Sequence, residues 1–127
     1  MDAAKLGFVS GNVIQELGWD DDVDDEFRSA IETTVGSELV DGEYGDVVDG
    51  VVLWWRADDG DLTDGIVDAL TDLDGAGNVW LLTPKFGRPG HLSGPDIGEA
   101  ADIAGVSVST TSALANWSVT KLTTQRR

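Results

Sequence analysis

The chain has no cysteine, and that absence removes disulfides, thiol nucleophiles and cysteine-ligated metal together. Histidine is nearly as scarce, so imidazole chemistry has a single address, His91. Basic charge is thin: eight Lys and Arg stand against 24 Asp and Glu, a net of −16. Such a surface repels phosphate backbones and argues against general nucleic-acid binding. No apolar run approaches the ~18 residues of a membrane span. Met1 to Ser10 holds one lysine and no sustained apolar stretch, so it does not read as a signal peptide. These deficits lead to the expectation of a soluble, cytoplasmic, single domain over residues 1–127, without nucleic-acid or membrane partners.

What is present is unevenly spread. Residues 1–75 carry a net charge of −18, and residues 76–127 a net of +2. The acidity of the first part suits solubility or a basic protein partner. Strand and helix signals alternate along the chain, which predicts an α/β domain. Strands are expected at 13–17, 38–40, 47–55, 78–83, 106–114 and 117–124, the third as the continuous apolar run VVDGVVLWW. A first helix over about 25–35 has Asp24 or Asp25 as its cap, Phe27, Ala30, Ile31 and Val35 on one face, and Gly36 at its end. A second starts at Asp61 and carries Leu62, Ile66, Ala69, Leu70 and Leu73. A third begins at Ser93 and Asp96 and stops at Gly105. The 38–40 strand is the weak element. About six residues follow it before the next strand, and at ~3.3–3.6 Å each they barely return the chain for a parallel crossover. It is therefore short, at an edge, or no strand.

Three loops meet at one sheet edge if the strands run parallel, the edge where open α/β sheets bind ligands. They bring Glu16 and Asp20, then Arg56, then Lys85, Arg88 and His91. One reading is an anion site, with Lys85 and the forked Arg88 supplying charge. The other is a staple, in which Lys85 and Arg56 pair with Glu16, Asp20 or Asp58. His91 has the right unperturbed pKa for acid–base work, but the sequence fixes no partner around it. The acidic run from Asp20 to Glu26 fails as a calcium loop: Asp25 occupies the sixth position, which needs glycine, and Ile31 the twelfth, which needs glutamate. Helix capping accounts for much of it. Trp54 and Trp55 are adjacent on a strand and should face opposite sides of the sheet.

The segments VIQELGWDDDVDD (Val13 to Asp25), VVDGVVLWWR, WLLTPKFGRPGH and Asn116-Trp117-Ser118 resemble a mostly actinobacterial family, domain of unknown function 3052. The resemblance runs from Leu6 to about Thr124. Trp80-Pro84-Lys85 and Trp117-Ser118 match its strand-end and C-terminal motifs, with Val119 where the family has glycine. It carries no established activity. More distantly, the order of elements resembles a trimmed class I methyltransferase, which implies an S-adenosylmethionine site beside the first strand. Those enzymes have a glycine-rich turn there, whereas this chain reads Glu16-Leu17-Gly18-Trp19-Asp20, and only Asp41 offers a carboxylate for a ribose.

The expectation is then a three-layer, Rossmann-like, mostly parallel sheet of five or six strands in the order 2-1-3-4-6-5, ending in an antiparallel hairpin. The expected function is a non-catalytic binding or regulatory module for a small anionic ligand or a protein partner, without cofactor or metal. Its candidate ligand residues are Glu16, Asp20, Arg56, Lys85, Arg88 and His91. The alternative is a degenerate methyltransferase-like or nucleotide-binding enzyme. The turn after the first strand separates them, because a methyltransferase should not tolerate Trp19 there.

Overall fold

The computed structural model describes residues 3–124; the outermost residues of the expected 1–127 domain, 1–2 and 125–127, lie outside the described residues. A 3-10 turn (Ala3–Leu6) precedes β1 (Ile14–Leu17), α1 (Asp25–Val35), β2 (Val48–Trp54), a second 3-10 turn (Ala57–Asp59), α2 (Leu62–Ala69), β3 (Leu73–Pro84), α3 (Gly94–Ala104), β4 (Val106–Ala113) and β5 (Trp117–Thr124). The helices start where side-chain oxygens satisfy free backbone amides. Asp24 accepts from the Phe27 amide, Asp61 from Thr63, and Ser93 from Asp96. α1 and α3 end at Gly36 and Gly105, both left-handed.

The five strands form one sheet in the order β1-β2-β3-β5-β4. β1 pairs parallel with β2 and β2 with β3, while β5 runs antiparallel to both β3 and β4. The expected mostly parallel pairing is thus corrected: parallel and antiparallel ladders are equal in number, because the hairpin inserts β5 between β3 and β4. The expected order 2-1-3-4-6-5 holds for the five strands that form and is corrected only at its second strand. The 38–40 segment makes only an isolated parallel bridge, Val40 to Gln15, on the outer side of β1. A turn from Asp41 to Tyr44 follows directly and leaves no length for a ladder. Leu73, expected on the second helix, instead opens β3, since α2 ends at Ala69.

Alternation along the strands splits the core in two. One face carries Ile14, Val52, Trp54, Trp80, Leu82, Trp117 and Val119 against α1 and the N-terminal turn. The other carries Val51, Leu53, Val79, Leu81 and Leu122 against α2 and α3. Trp54 and Trp55 do point to opposite sides, Trp54 fully buried in the first layer and Trp55 partly buried against the second. The first layer is an aromatic chain. Phe8 stacks on Trp80 at 3.9 Å between centroids, and Phe27 and Trp117 meet Trp54 edge-on at 6.2 and 4.9 Å. Each of these tryptophans places its indole N–H: Trp54 donates to Glu16, Trp80 to the Leu6 carbonyl and Trp117 to the Asp22 carbonyl. No helix among the described residues is long and apolar enough to cross a membrane.

Candidate functional site

The parallel strands β1, β2 and β3 end at the same sheet edge, so the three loops of interest do meet there. Beside β1 and β2 the chain segments pack on and bond to one another. Gly18, at φ +76°, lets the turn after β1 fold down on the end of β2; a Cβ at this position would lie 2.2 Å from the Trp54 carbonyl oxygen. The glycine is therefore used for contact between two chain segments. The close approach that a glycine-rich turn offers to a ligand is spent on β2.

Arg56 completes the closure. Its Nη1 donates to the Gly18 carbonyl at 2.8 Å and to Asp59 at 3.3 Å, its Nε donates to Asp22 Oδ2 at 3.1 Å, and its Nη2 donates to Asp22 Oδ1. The guanidinium also lies over the Trp117 ring, 5.3 Å from its centroid. Burial works against the Arg56 charge, but hydrogen bonds with Asp22 and Asp59 outweigh it, and the group titrates above its usual range. The hydrogen bond from Arg56 holds the Asp22 carboxyl below its ordinary value.

Glu16 is equally committed. It is 8% exposed, and its two oxygens accept from Arg28 at 2.7 and 2.9 Å. The Trp54 indole donates to one of them at 2.9 Å. The hydrogen bond with Glu16 raises the Arg28 pKa. Asp20 caps its own turn, accepting from the Asp21 amide at 2.7 Å. The staple is thus built with Asp22 and Asp59 on Arg56, and with Arg28 on Glu16. Arg28 was the missed partner; its signal was a lone cation on the first turn of α1, close after β1.

The loop after β3 is different. Tight turns run from Lys85 to Arg88 and from Arg88 to His91, and the Lys85 amide donates to the Asn116 carbonyl in the β4–β5 turn. Arg88 Nη1 reaches Asn116 Oδ1 at 3.3 Å. Lys85 makes no ion pair among the described residues. His91 Nδ1 lies 2.9 Å from the Pro84 carbonyl, which only accepts, so Nδ1 carries a proton and Nε2 is the ring nitrogen left to face a ligand. Phe86, edge-on to His91, is 89% exposed, and Trp19 on the opposite loop is 56% exposed.

His91 also lines an open groove of about 410 Å³ on the α3 side of the sheet, with Thr83, Ile97, Thr111, Ser118 and Thr120. Register explains the hydroxyls. Thr83 pairs with Ser118, and Thr120 pairs with Thr111, so they share the face that carries Leu81 and Leu122 deeper in. Sequence reasoning missed this row. Its signal was polar residues at inward positions of otherwise apolar strands.

With this geometry established, the comparisons with known proteins can be placed on it. The family described as "Protein of unknown function (DUF3052)" matches residues 3–126, and the chain belongs to that family. The uncharacterized protein Rv2239c of Mycobacterium tuberculosis is 47% identical over 120 residues, covering 94% of this chain and 76% of its own length. Among solved structures, the O-methyltransferase NcsB1 of neocarzinostatin biosynthesis, in complex with S-adenosyl-L-homocysteine, superposes with a TM-score of 0.72 at 15% identity, over 97% of this chain. This chain spans 52% of NcsB1, about half its length. The ribosomal protein L11 methylase of Lactobacillus delbrueckii subsp. bulgaricus gives a TM-score of 0.62 at 14% identity, over 96% of this chain and 74% of that one. At such identities the likeness is one of fold: a mixed α/β, Rossmann-like, methyltransferase-like domain.

Proposed function

We propose that this member of the family is a non-catalytic binding module that keeps the methyltransferase-like sheet and takes a small anionic ligand at the loop after β3. The supporting observation is that the chain pairs its own groups beside β1 and β2. Where the structural neighbours' fold offers space beside β1, this chain puts Gly18 against the Trp54 carbonyl and fills the gap with Arg56. A nucleotide-sized cofactor there has to displace four hydrogen bonds of one guanidinium. Lys85 and Arg88, on the loop after β3 with His91, make no ion pair with a carboxylate among the described residues, which is also true of Lys5 and Lys121; Arg88 acts on Asp22 only at a distance. The alternative, a degenerate methyltransferase-like or nucleotide-binding enzyme, draws its support from the fold neighbours alone.

Thermal-shift titration with S-adenosylmethionine, ATP, acyl-CoA and inorganic phosphate discriminates the two. A ligand at ~100 times its Kd adds about 2.7 kcal/mol to stability. The binding-module reading expects a shift with phosphate or a phosphorylated compound that Lys85→Ala and Arg88→Ala abolish. A shift with S-adenosylmethionine that survives both substitutions but falls with changes at Gly18 or Asp22 establishes the enzyme-like reading instead.

A further inference from the structure

We infer that the groove between α3 and the β4–β5 hairpin seats the polyhydroxylated part of the ligand, so that the molecule bound is a small sugar or polyol carrying an oxyanion. This deepens the reading above and rests on it for the anionic group. The groove is lined by five hydroxyl residues, Thr83, Thr111, Ser112, Ser118 and Thr120, together with the His91 ring. Thr83 and Thr120 are 1% and 6% exposed, yet neither hydroxyl bonds to a protein group among the described residues. Buried polar groups ordinarily find partners. Trp55 Nε1 is the unpartnered side-chain atom that is sealed from solvent, so the two threonine hydroxyls still reach the groove.

The chemistry of the lining selects the ligand. In a chain with 24 carboxylates, none lines this groove, so an electron-rich ligand meets no repulsion there. Hydroxyls donate and accept alike, and His91 adds its Nε2 to the lining; this matches a partner that also does both, as sugar hydroxyls do. Ile97 and the threonine methyls supply apolar surface for the C–H face of such a molecule. Lys85 follows the groove-lining Thr83 by two residues and makes no ion pair among the described residues, so its cation is available to the phosphate or carboxylate of the ligand.

The test is calorimetric titration of the full chain with glucose 6-phosphate, ribose 5-phosphate and glycerol 3-phosphate, with gluconate as the carboxylate arm. Inorganic phosphate and glucose serve as separate halves of the ligand. At least one phosphorylated or carboxylated polyol should bind below about 1 mM Kd and at least tenfold tighter than either half. Thr83→Val and Thr120→Val, near-isosteric changes, should each weaken it about three- to tenfold, with Thr83→Ser restoring binding. Backbone amide shifts should fall on Thr83, Ser118, Thr120 and His91. If phosphate alone binds as tightly as every polyol, the groove assignment fails while the anion site stands. If a polyol phosphate binds but both Val variants bind it unchanged, the seat lies elsewhere and the inference is overturned. If no probe binds, both readings fall together.

Discussion

The two halves of the C-terminal sheet edge solve opposite problems. Beside β1 and β2, every charged side chain with a buried contact has a partner: Glu16 with Arg28 and Trp54, and Arg56 with Gly18, Asp22 and Asp59. Beside β3 and β5, two nearly buried hydroxyls and a lysine have none among the described residues. Most interior polar groups find partners within the fold, the sealed Trp55 Nε1 after β2 being an exception. The first region therefore reads as structure, and the second as a place left for a ligand. The binding site proposed above therefore lies in the second region.

The sharpest way to break this contrast is at glycine. Gly18→Ala places a Cβ on the Trp54 carbonyl and forces a side chain into left-handed backbone, so it should cost about 3 kcal/mol in urea unfolding. Gly87 has a similar φ, +87°, but nothing within 4 Å of its added Cβ. Gly87→Ala should cost about 1 kcal/mol, the backbone term alone. Equal losses at the two positions mean that the β1 turn is not packed as described. Next in size is Glu16→Gln, which leaves the Arg28 charge facing an amide and should cost about 2 kcal/mol. Arg28→Met in the same background should add little, because the partners act as one unit.

How far this was legible follows from particular residues. The caps Asp24 and Ser93, the stops Gly36 and Gly105, and the apolar run of β2 are local signals, and they mark α1, α3 and β2 to within about a residue, whereas β3 starts five residues before its expected run at 78. The failures are non-local. Whether 38–40 makes a ladder depends on how the following turn leaves β1, and Leu73 belongs to β3 because α2 ends at Ala69. At the site, the six candidates were brought to one edge, but their pairing depends on side-chain reach across strands. Arg56 takes Asp22 and Asp59 and leaves Asp58, its neighbour in sequence, aside. The N-terminal turn and Phe8, which stacks on Trp80, had no periodic signal to announce them.

A smaller effect sharpens the closed side by pH. Asp22 is held below its ordinary value of 3.8 by Arg56, so its ionised form stabilises the fold above that value. That contribution is lost as pH falls through the lowered pKa. Because the carboxylate is half-exposed, Asp22→Asn should cost only about 1 kcal/mol at pH 7. In unfolding curves followed from pH 7 to pH 2, the difference between the two proteins should persist to about pH 4 and close below it. A difference that stays constant to pH 2 means that Asp22 acts by packing rather than by charge.

The smallest expected effect carries the open side. Thr83→Val keeps the branched shape that a strand accommodates and removes a hydroxyl that bonds to no protein group among the described residues. Folding then loses no internal hydrogen bond, and a buried polar atom is exchanged for a methyl. Stability should change by no more than about 0.5 kcal/mol, with a gain more natural than a loss. Paired urea curves at one protein concentration resolve this. A loss above about 1.5 kcal/mol means the hydroxyl is held inside the fold, because only a broken internal bond costs that much at constant shape. In that case the two regions no longer differ in kind, and the groove is a packing feature of the hairpin. A neutral result leaves Thr83 where a ligand-facing residue belongs: its hydroxyl opens to the groove and is of no use to the folded chain alone.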